Sequence, residues 1–508
     1  MNKAKQRERW SSRPAFIMAA IGSAIGLGNV WRFPSICFKY GGGAFLIPWL
    51  VGLVILGIPW FIIEMGMGHW IQGGGPKCLR SVGKKWEWVG WLPVLSGFMI
   101  TTYYCVIIAW SLCYMVYSCG MTWGTGTAAA QTVKPFFQDT FLGLTEGPGI
   151  LGRFNLPIIA GLVVTWVAIF FILIKGPKRV GKVAIYTVTI PWICLIILAI
   201  RGLTLPGAIE GLNYYLTPDF SSLLDGEVWF GAFSQIAFTL SLGQGVMFAY
   251  GSYLPKKSDV SNNVMITSFA NCGTSFFAGF AIFSTLGFLA QSLGVIVPEA
   301  VSSGHALAFV TLPMAISMMP VLPQLIGIVL FLCLFTLGID SAFALIEGVS
   351  TALTDKFKIS RKKVLCILCG VSFLTGVFVF SRGGGLHWLD LIDRSVSFYG
   401  LLISGLFVCV AVGWTHTSKK GRFFSRFGAS KLREQVNAVS DFNIGKWFDV
   451  LVMFVAPVGL IFVIGWGIIS DIGGYGEYPL WASTLGVWGI LILMVALSVI
   501  FSFLKEKK

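Results

Sequence analysis

The chain has 508 residues, 56% of them hydrophobic and 12% charged, with a mean hydropathy of +0.80. Soluble domains carry about 25% charged residues, so this composition excludes a soluble globular protein and indicates a polytopic membrane protein. The net charge of +15 does not mark a nucleic-acid binder, because the basic residues gather in the tails and in alternate segments between apolar runs, as cytoplasmic loops do.

Apolar runs of about 20 residues predict twelve spans, near 14–37, 43–70, 88–119, 150–174, 183–201, 228–254, 261–291, 322–355, 363–381, 386–414, 447–470 and 480–503. Lysine and arginine crowd 3–13, 77–85, 175–182, 256–257, 356–363, 419–446 and 505–508, whereas Glu210, Asp219, Asp225, Glu227, Glu299, Asp471 and Glu477 occupy the intervening segments. This parity places both termini in the cytoplasm of a cell-membrane protein. The basic N-terminal tail runs directly into the first span, with no cleavable signal peptide.

Span 1 carries Gly22-Ser-Ala-Ile-Gly26-Leu-Gly28-Asn29, with Arg32 and Pro34 close behind. Glycine and proline loosen a helix, and in hydrocarbon the freed backbone groups must find other partners. Arg32 adds about 2.5–3.5 kcal/mol at mid-bilayer on insertion scales. The economical reading is a broken helix whose carbonyls and half-helix ends hold ions and a small solute.

Span 2 opens on Gly41–Gly43 and carries Glu64, which either meets a broken neighbour or snorkels to the interface. Thr101, Thr102, Tyr103 and Tyr104 of span 3 face a wet cavity or another helix, an aromatic belt being the alternative. Residues 120–149 read as a polar external loop, spans 4 and 5 as scaffold, and 211–220 as a polar and aromatic external stretch.

Span 6 repeats the anomaly of span 1, with Ser234, Gln235, Thr239, Ser241, Gly243, Gln244 and Gly245 at mid-span. Spans 1 and 6 hold corresponding places in two five-span blocks, and an odd number of spans inverts the second block. Paired, glycine-interrupted spans in such positions point to a transporter's binding site.

Asn271 and Ser275 share a face of span 7. Span 8 places Asp340 beside Ser341, with Glu347 further on, and an intramembrane carboxylate has a cation as its natural partner. Asp390 and Asp393 lie at the outer end of span 10, while spans 11 and 12 show no such polar cluster and read as peripheral. The eleven cysteines form no paired external set, Cys366 and Cys369 lie inside a span, and the four histidines have no metal-ligand spacing.

At these residues the chain resembles the neurotransmitter:sodium symporter (solute carrier 6) family, including its bacterial amino-acid transporters with the LeuT-type fold. The resemblance rests on Gly26-Leu-Gly-Asn-Val-Trp-Arg-Phe-Pro34, on Gly41-Gly-Gly-Ala-Phe45, on Asn213–Phe220, on Gln235–Gly243, and on Gly338-Ile-Asp-Ser341 with Glu347-Gly348. It implies an all-α membrane protein of twelve helices, a 5+5 inverted repeat with helices 1 and 6 unwound. Residues 1–201 would form the first repeat, 202–227 an external loop, 228–414 the inverted repeat, and 415–508 the last two spans and a cytoplasmic tail.

The resemblance implies one sodium site at Ala24, Asn29, Thr239 and Asn271. A second would use Gly22, Ile25 and Leu337 with Asp340 and Ser341. The solute would lie among Ser23, Ala24, Gly26, Leu27, Gly28, Ile100, Tyr104, Phe238, Thr239, Ser241, Gln244, Ser341 and Leu345, its acid group at the Gly26–Gly28 amides. Arg32 and Asp393 would close the outer side above Tyr104 and Phe238. Arg7 and Asp355 would close the inner side, with Trp10, Ser252 and Tyr253 nearby. Gly26 stands where amine-transporting members carry aspartate, so the solute would bring its own acid group. Gln235, Thr239, Asn271 and Ser275 resemble a chloride site, although Trp49 replaces the tyrosine that completes it, and chloride stays open.

The reading is a sodium-coupled symporter, not an enzyme, that takes up an amino acid or related zwitterion by alternating access. Its partners are the solute, membrane lipid and no nucleic acid, as a monomer or dimer. The alternatives are a solute-binding receptor or a sodium-gated channel on the same fold.

Overall fold

The computed structural model describes residues 7–302, 304–416 and 427–506. Basic residues of 1–6, 417–426 and 507–508 that entered the charge pattern lie outside the described residues. Among those described, every regular element is helical, and only three isolated bridges stand in for strand pairing. Helices satisfy their own backbone groups, which apolar surroundings demand.

The first run divides into α1 (Arg13–Ala24) and α2 (Gly28–Lys39), bent by 44°. There follow α3 (Gly43–Ile71), α4 (Lys84–Gly120), α5 (Leu156–Leu173) and α6 (Pro177–Leu203). The sixth run forms two short helices, α7 (Gly226–Thr239) and α8 (Val246–Ser252). The rest are α9 (Val260–Leu293), α10 (Pro323–Phe357), α11 (Arg361–Phe380), α12 (Gly385–Trp414), α13 (Trp447–Asp471) and α14 (Leu480–Phe503). Ten of these helices are long and apolar enough to cross a membrane, and α1 with α2 makes an eleventh such element. The chain is therefore a multi-pass membrane protein.

Several boundaries differ from those predicted. α5 begins at Leu156, not 150, because the Asn155 side chain accepts the Ile158 N–H at 3.2 Å and Pro157 suits the first turn. α6 begins at Pro177, not 183, after Gly176 at φ +75°. The stretch 120–149 contains the helical turns Ala129–Pro135 and Phe136–Leu142, and 211–220 lies largely in the helix Ala208–Leu216.

Spans 11 and 12 read as peripheral, but the first of them carries two buried aspartates with specific partners. Asp471, at the end of α13, takes two hydrogen bonds from Arg394 of α12 at 2.8 and 3.1 Å and one from Tyr399 at 2.7 Å. Asp449 is fully buried against Arg433 at 3.0 Å. Neither partner adjoins its aspartate in sequence, so periodicity carries no sign of either pair. Elsewhere α13 and α14 turn Val458, Ile461, Phe462 and Ile492 outward, as lipid-facing helices do.

Packing places the breaks at the centre. α10 lies along α4 and α6, and α1 is held by α6, α9 and α10. The start of α2 touches α9 and α7, so both interrupted runs meet inside the bundle.

Candidate functional site

α1 stops because its donors are diverted. Ile25 leaves the helical region at φ −82°, ψ 97°. The Gly26 N–H donates to Asn29 Oδ1 at 2.8 Å rather than to the Gly22 carbonyl, and the Leu27 N–H donates to Tyr104 Oη at 3.0 Å. The carbonyls at the end of α1 are thereby released. Ser23 O accepts the hydroxyls of Ser241 at 2.8 Å and Ser341 at 3.3 Å. Among the described residues no hydroxyl donates to Ala24 O or Gly22 O. Gly26 is tightly enclosed: a Cβ there would lie 2.2 Å from Ser341 Oγ and 2.9 Å from Tyr104 Oη, so one of these side chains would have to move.

The second break follows the same logic. Between α7 and α8, Ser241, Gly243 and Gly245 take φ values of +54°, +66° and +75°, a region that L side chains rarely adopt. The Gly243 N–H donates to Glu64 Oε1 at 2.8 Å. Glu64 is completely buried, so it serves the break and does not snorkel.

Four oxygen-bearing residues converge between the breaks. The Asn271 side-chain oxygen accepts from Asn29 Nδ2 at 2.8 Å and from Thr239 Oγ1 at 3.2 Å. It also sits 2.9 Å from the Ala24 carbonyl oxygen and 3.3 Å from the Thr239 carbonyl oxygen. Turning the amide relieves the two carbonyls but faces its nitrogen onto Asn29 Nδ2 at 2.8 Å. In that orientation Asn29 Nδ2 still has Asn271 O at 3.1 Å and Ser275 Oγ at 2.8 Å as acceptors. The oxygens gathered here are hard donors of the kind that suit an alkali ion.

The second predicted ion site gathers around Asp340. Its Oδ1 accepts from Thr187 Oγ1 of α6 at 2.5 Å, while Oδ2 is buried without a hydrogen-bond partner. That free oxygen lies 2.9 Å from where a Gly22 Cβ would stand, so it faces the last turn of α1. No lysine, arginine or histidine reaches Asp340 among the described residues. Ser341 joins α1 through Ser23 O, and Leu337 lies on the preceding turn of α10.

Twelve predicted solute residues line one closed cavity of about 10 Å³, near the size of a single water. They are Ser23, Ala24, Gly26, Gly28, Ile100, Tyr104, Phe238, Thr239, Ser241, Gln244, Ser341 and Leu345. Leu27 stands behind this wall and contributes its N–H to Tyr104. The chloride candidates are less unified. Asn29 Nδ2 reaches Ser275 Oγ at 2.8 Å, but Gln235 donates to Gly28 O at 3.0 Å and accepts from Arg32 at 2.9 Å. The buried Trp49 indole N–H finds no acceptor, and its ring packs on Phe33 at 4.9 Å.

Both ends of the cavity are shut. On the Arg32 side, the guanidinium lies between Phe238 and Phe398, 4.5 Å from each ring, and reaches Asp393 at 3.9 Å. Asp393 also accepts from Tyr103 Oη at 2.8 Å. At the other end Arg7 meets Asp355 at 2.9 Å and Ser252 at 2.7 Å, and the Gly74 N–H donates to Asp355 at 2.8 Å. Trp10 donates to Tyr250 O at 3.1 Å and packs edge-on to Tyr253.

Above Arg32 opens a cavity of about 390 Å³ whose wall includes His305. The imidazole packs on Trp31 at 4.7 Å with the rings tilted by 34°, and its Nε2 is buried without a partner among the described residues. Burial lowers its pKa from the ordinary value to about 4, Asp393 opposing that shift and Arg32 adding to it. An exposed histidine titrates near 6.5, so an opened form binds a proton that the closed form refuses. The closed form therefore loses stability as pH falls below about 6.5. Going from pH 7.5 to 5.5 should shift the balance toward the opened form about tenfold. The labelling rate of a cysteine placed at Ile36, in a background lacking the exposed Cys119 and Cys366, should rise accordingly, and His305→Gln should remove the pH dependence.

The sequence reading missed several partners. Thr187 lies in a stretch of α6 that reads as plain scaffold. Tyr103 was visible as a polar residue, though its link to Asp393 was not. Glu347 stands out in the sequence as an intramembrane acid, but its ion pair with Arg361 of α11 and its hydrogen bond from Tyr253 at 2.6 Å do not. An acid and a base fourteen residues apart across a helix turn were the available signal.

The sodium:neurotransmitter symporter family model matches residues 7–132 and 124–507. A sodium-dependent transporter of Methanocaldococcus jannaschii is 40% identical over 510 residues, covering 99% of each chain. The sodium- and chloride-dependent taurine transporter of Rattus norvegicus is 33% identical over 96% of this chain and 83% of its own. The creatine transporter of Torpedo marmorata is 36% identical over 81% of this chain and 72% of its own. These relatives are transporters, not enzymes. The chain belongs to the sodium:neurotransmitter symporter family.

Proposed function

We propose that this protein is a symporter that uses the inward sodium gradient to take up a small zwitterion across the cell membrane. The observation that carries this reading is the cluster formed by Ala24, Asn29, Thr239 and Asn271, whose oxygens converge between the two breaks. Sodium would occupy that cluster, with a second ion between Asp340 and the end of α1. Twelve spans would form two inverted five-helix repeats, 1–201 and 228–414, with α1–α2 and α7–α8 as broken spans, followed by 415–508 and with both termini cytoplasmic.

The solute would carry an acid group, because Gly26 leaves no side-chain charge beside the cavity. Taurine and creatine, named for two of the relatives, are both zwitterions, which favours that class. The Gly26 and Leu27 amides are already engaged by Asn29 and Tyr104. An arriving acid group would therefore take the Gly28 N–H or displace the Tyr104 hydroxyl. Gln244 would meet the other end of the solute.

Coupling needs ion and solute to favour the same conformer. Sodium tying α1 to α10 through Asp340 would favour the form open on the Arg32 side. Solute bound beside Ala24 and Thr239 would then permit Arg32 and Asp393 to close. A pair that makes and breaks need contribute little net stability in either state, because desolvation opposes the attraction.

A thermal-shift screen of small zwitterions tests the reading. Stabilisation should require sodium and fail with potassium; a ligand that binds equally in both salts would count against it. Chloride would bind near Asn29 and Ser275 if it takes part. Ser275→Glu, which places a fixed charge there, should then abolish chloride stimulation of uptake. Insensitivity of the unaltered protein to chloride would remove the anion site.

A further inference from the structure

At the end of the bundle that carries Arg7 and Asp355, a separate cleft of about 1020 Å³ opens between the start of α4, the end of α10 and the end of α14. Arg80, Lys84, Lys85, Lys358 and Lys505 reach into it. Its two carboxylates are already neutralised. Glu87 pairs with the buried Lys356 and lies 3.5 Å from Arg80, and Glu506 lies 2.9 Å from Arg80. Lys84, Lys85, Lys358 and Lys505 meet no carboxylate among the described residues, and all four are exposed. The cleft thus presents four uncompensated ammonium groups around one concavity.

The same rim is apolar on its other side. Phe503 is 82% exposed and Leu504 is 44% exposed at the end of α14. A free anion in solution would use the lysines and leave these side chains in water. A phospholipid would use both, its phosphate on the lysines and its chains against Phe503 and Leu504. The basic segments that contain these residues are those the charge pattern assigns to the cytoplasm, so the leaflet in reach is the inner one. Basic pockets between helices at that depth suit anionic headgroups.

We infer that this cleft binds the phosphate headgroup of an anionic phospholipid of the inner leaflet. Its walls are tied to the inner closure. Lys356, next to Asp355, donates to the carbonyls of Phe501 at 2.8 Å and Ser502 at 3.1 Å. Arg80 lies on the short helix Gly75–Val82, directly after Gly74, whose N–H holds Asp355. An occupied cleft would therefore brace the region around Arg7 and Asp355. The inference does not depend on either ion site.

The test uses the full-length chain in detergent, titrated with mixed micelles containing phosphatidylglycerol or phosphatidylcholine, or with inorganic phosphate. Bound lipid is counted by native mass spectrometry and stability is followed by thermal unfolding. Phosphatidylglycerol should be retained and should raise Tm, whereas phosphatidylcholine and phosphate should do neither. Lys84→Gln with Lys358→Gln should weaken retention roughly 25-fold, at about fivefold for each lysine removed. Lys256→Gln with Lys257→Gln, which removes the same charge from another loop, should leave retention unchanged. Lys84→Arg with Lys358→Arg should retain the lipid, which separates lost binding from misfolding. Equal loss in both glutamine variants would reduce the effect to net charge and overturn the site. A Tm rise with inorganic phosphate alone would assign the cleft to a soluble anion and overturn the lipid.

Discussion

Asp340→Asn is expected to abolish sodium-dependent stabilisation and sodium-driven uptake, weakening apparent sodium affinity by a hundredfold or more. Removing one member of a buried charge pair costs about 3–5 kcal/mol because the remaining charge is left uncompensated. Here the remaining charge would be the cation itself. Asp340 is fully buried, one oxygen is held by Thr187, and the other faces the end of α1 without a partner. An amide keeps the size and loses the charge. The same change should leave the sodium-free protein as stable as before or more so, since a buried carboxylate with no cation is itself costly. Thermal unfolding with and without sodium separates these two effects. Sodium response equal to that of the unaltered protein would remove Asp340 from the ion site.

Gly26→Ala is expected to reduce solute affinity by one to two orders of magnitude while the chain still folds. The added methyl would meet Ser341 Oγ at 2.2 Å and Tyr104 Oη at 2.9 Å. Overpacking of this kind typically costs about 1–3 kcal/mol, which is roughly 5- to 150-fold in a binding constant. Tyr104 would have to move, and with it the hydrogen bond from Leu27. The companion experiment keeps the protein unaltered and removes the acid group from the ligand. An amine lacking its acid group should bind at least a hundredfold more weakly than the parent zwitterion; equal affinity would refute the role given to this part of α1.

The two breaks were legible because they leave marks in composition. Gly22, Gly26 and Gly28 loosen the first apolar run, and five polar residues around Gly243 and Gly245 have no business in another. What the sequence withheld was the second partner of each interaction. Glu64 reads equally as an interfacial acid until its hydrogen bond from Gly243, 179 residues away, is seen. Thr187 is one threonine in an apolar helix, and threonine there ordinarily bonds back to its own backbone. It does so to Val183 O at 3.0 Å and also reaches Asp340. Asp471 reads as an external acid until Arg394 and Tyr399 close on it. Periodicity reports which face of a helix is apolar, not which neighbour that face will meet.

The most direct measurement is uptake by the purified protein in sealed proteoliposomes with an imposed inward sodium gradient. Radiolabelled zwitterion should accumulate above its external concentration, and accumulation should stop when the gradient is collapsed with a sodium ionophore. Solute that binds without accumulating, or uptake indifferent to sodium, would contradict the account.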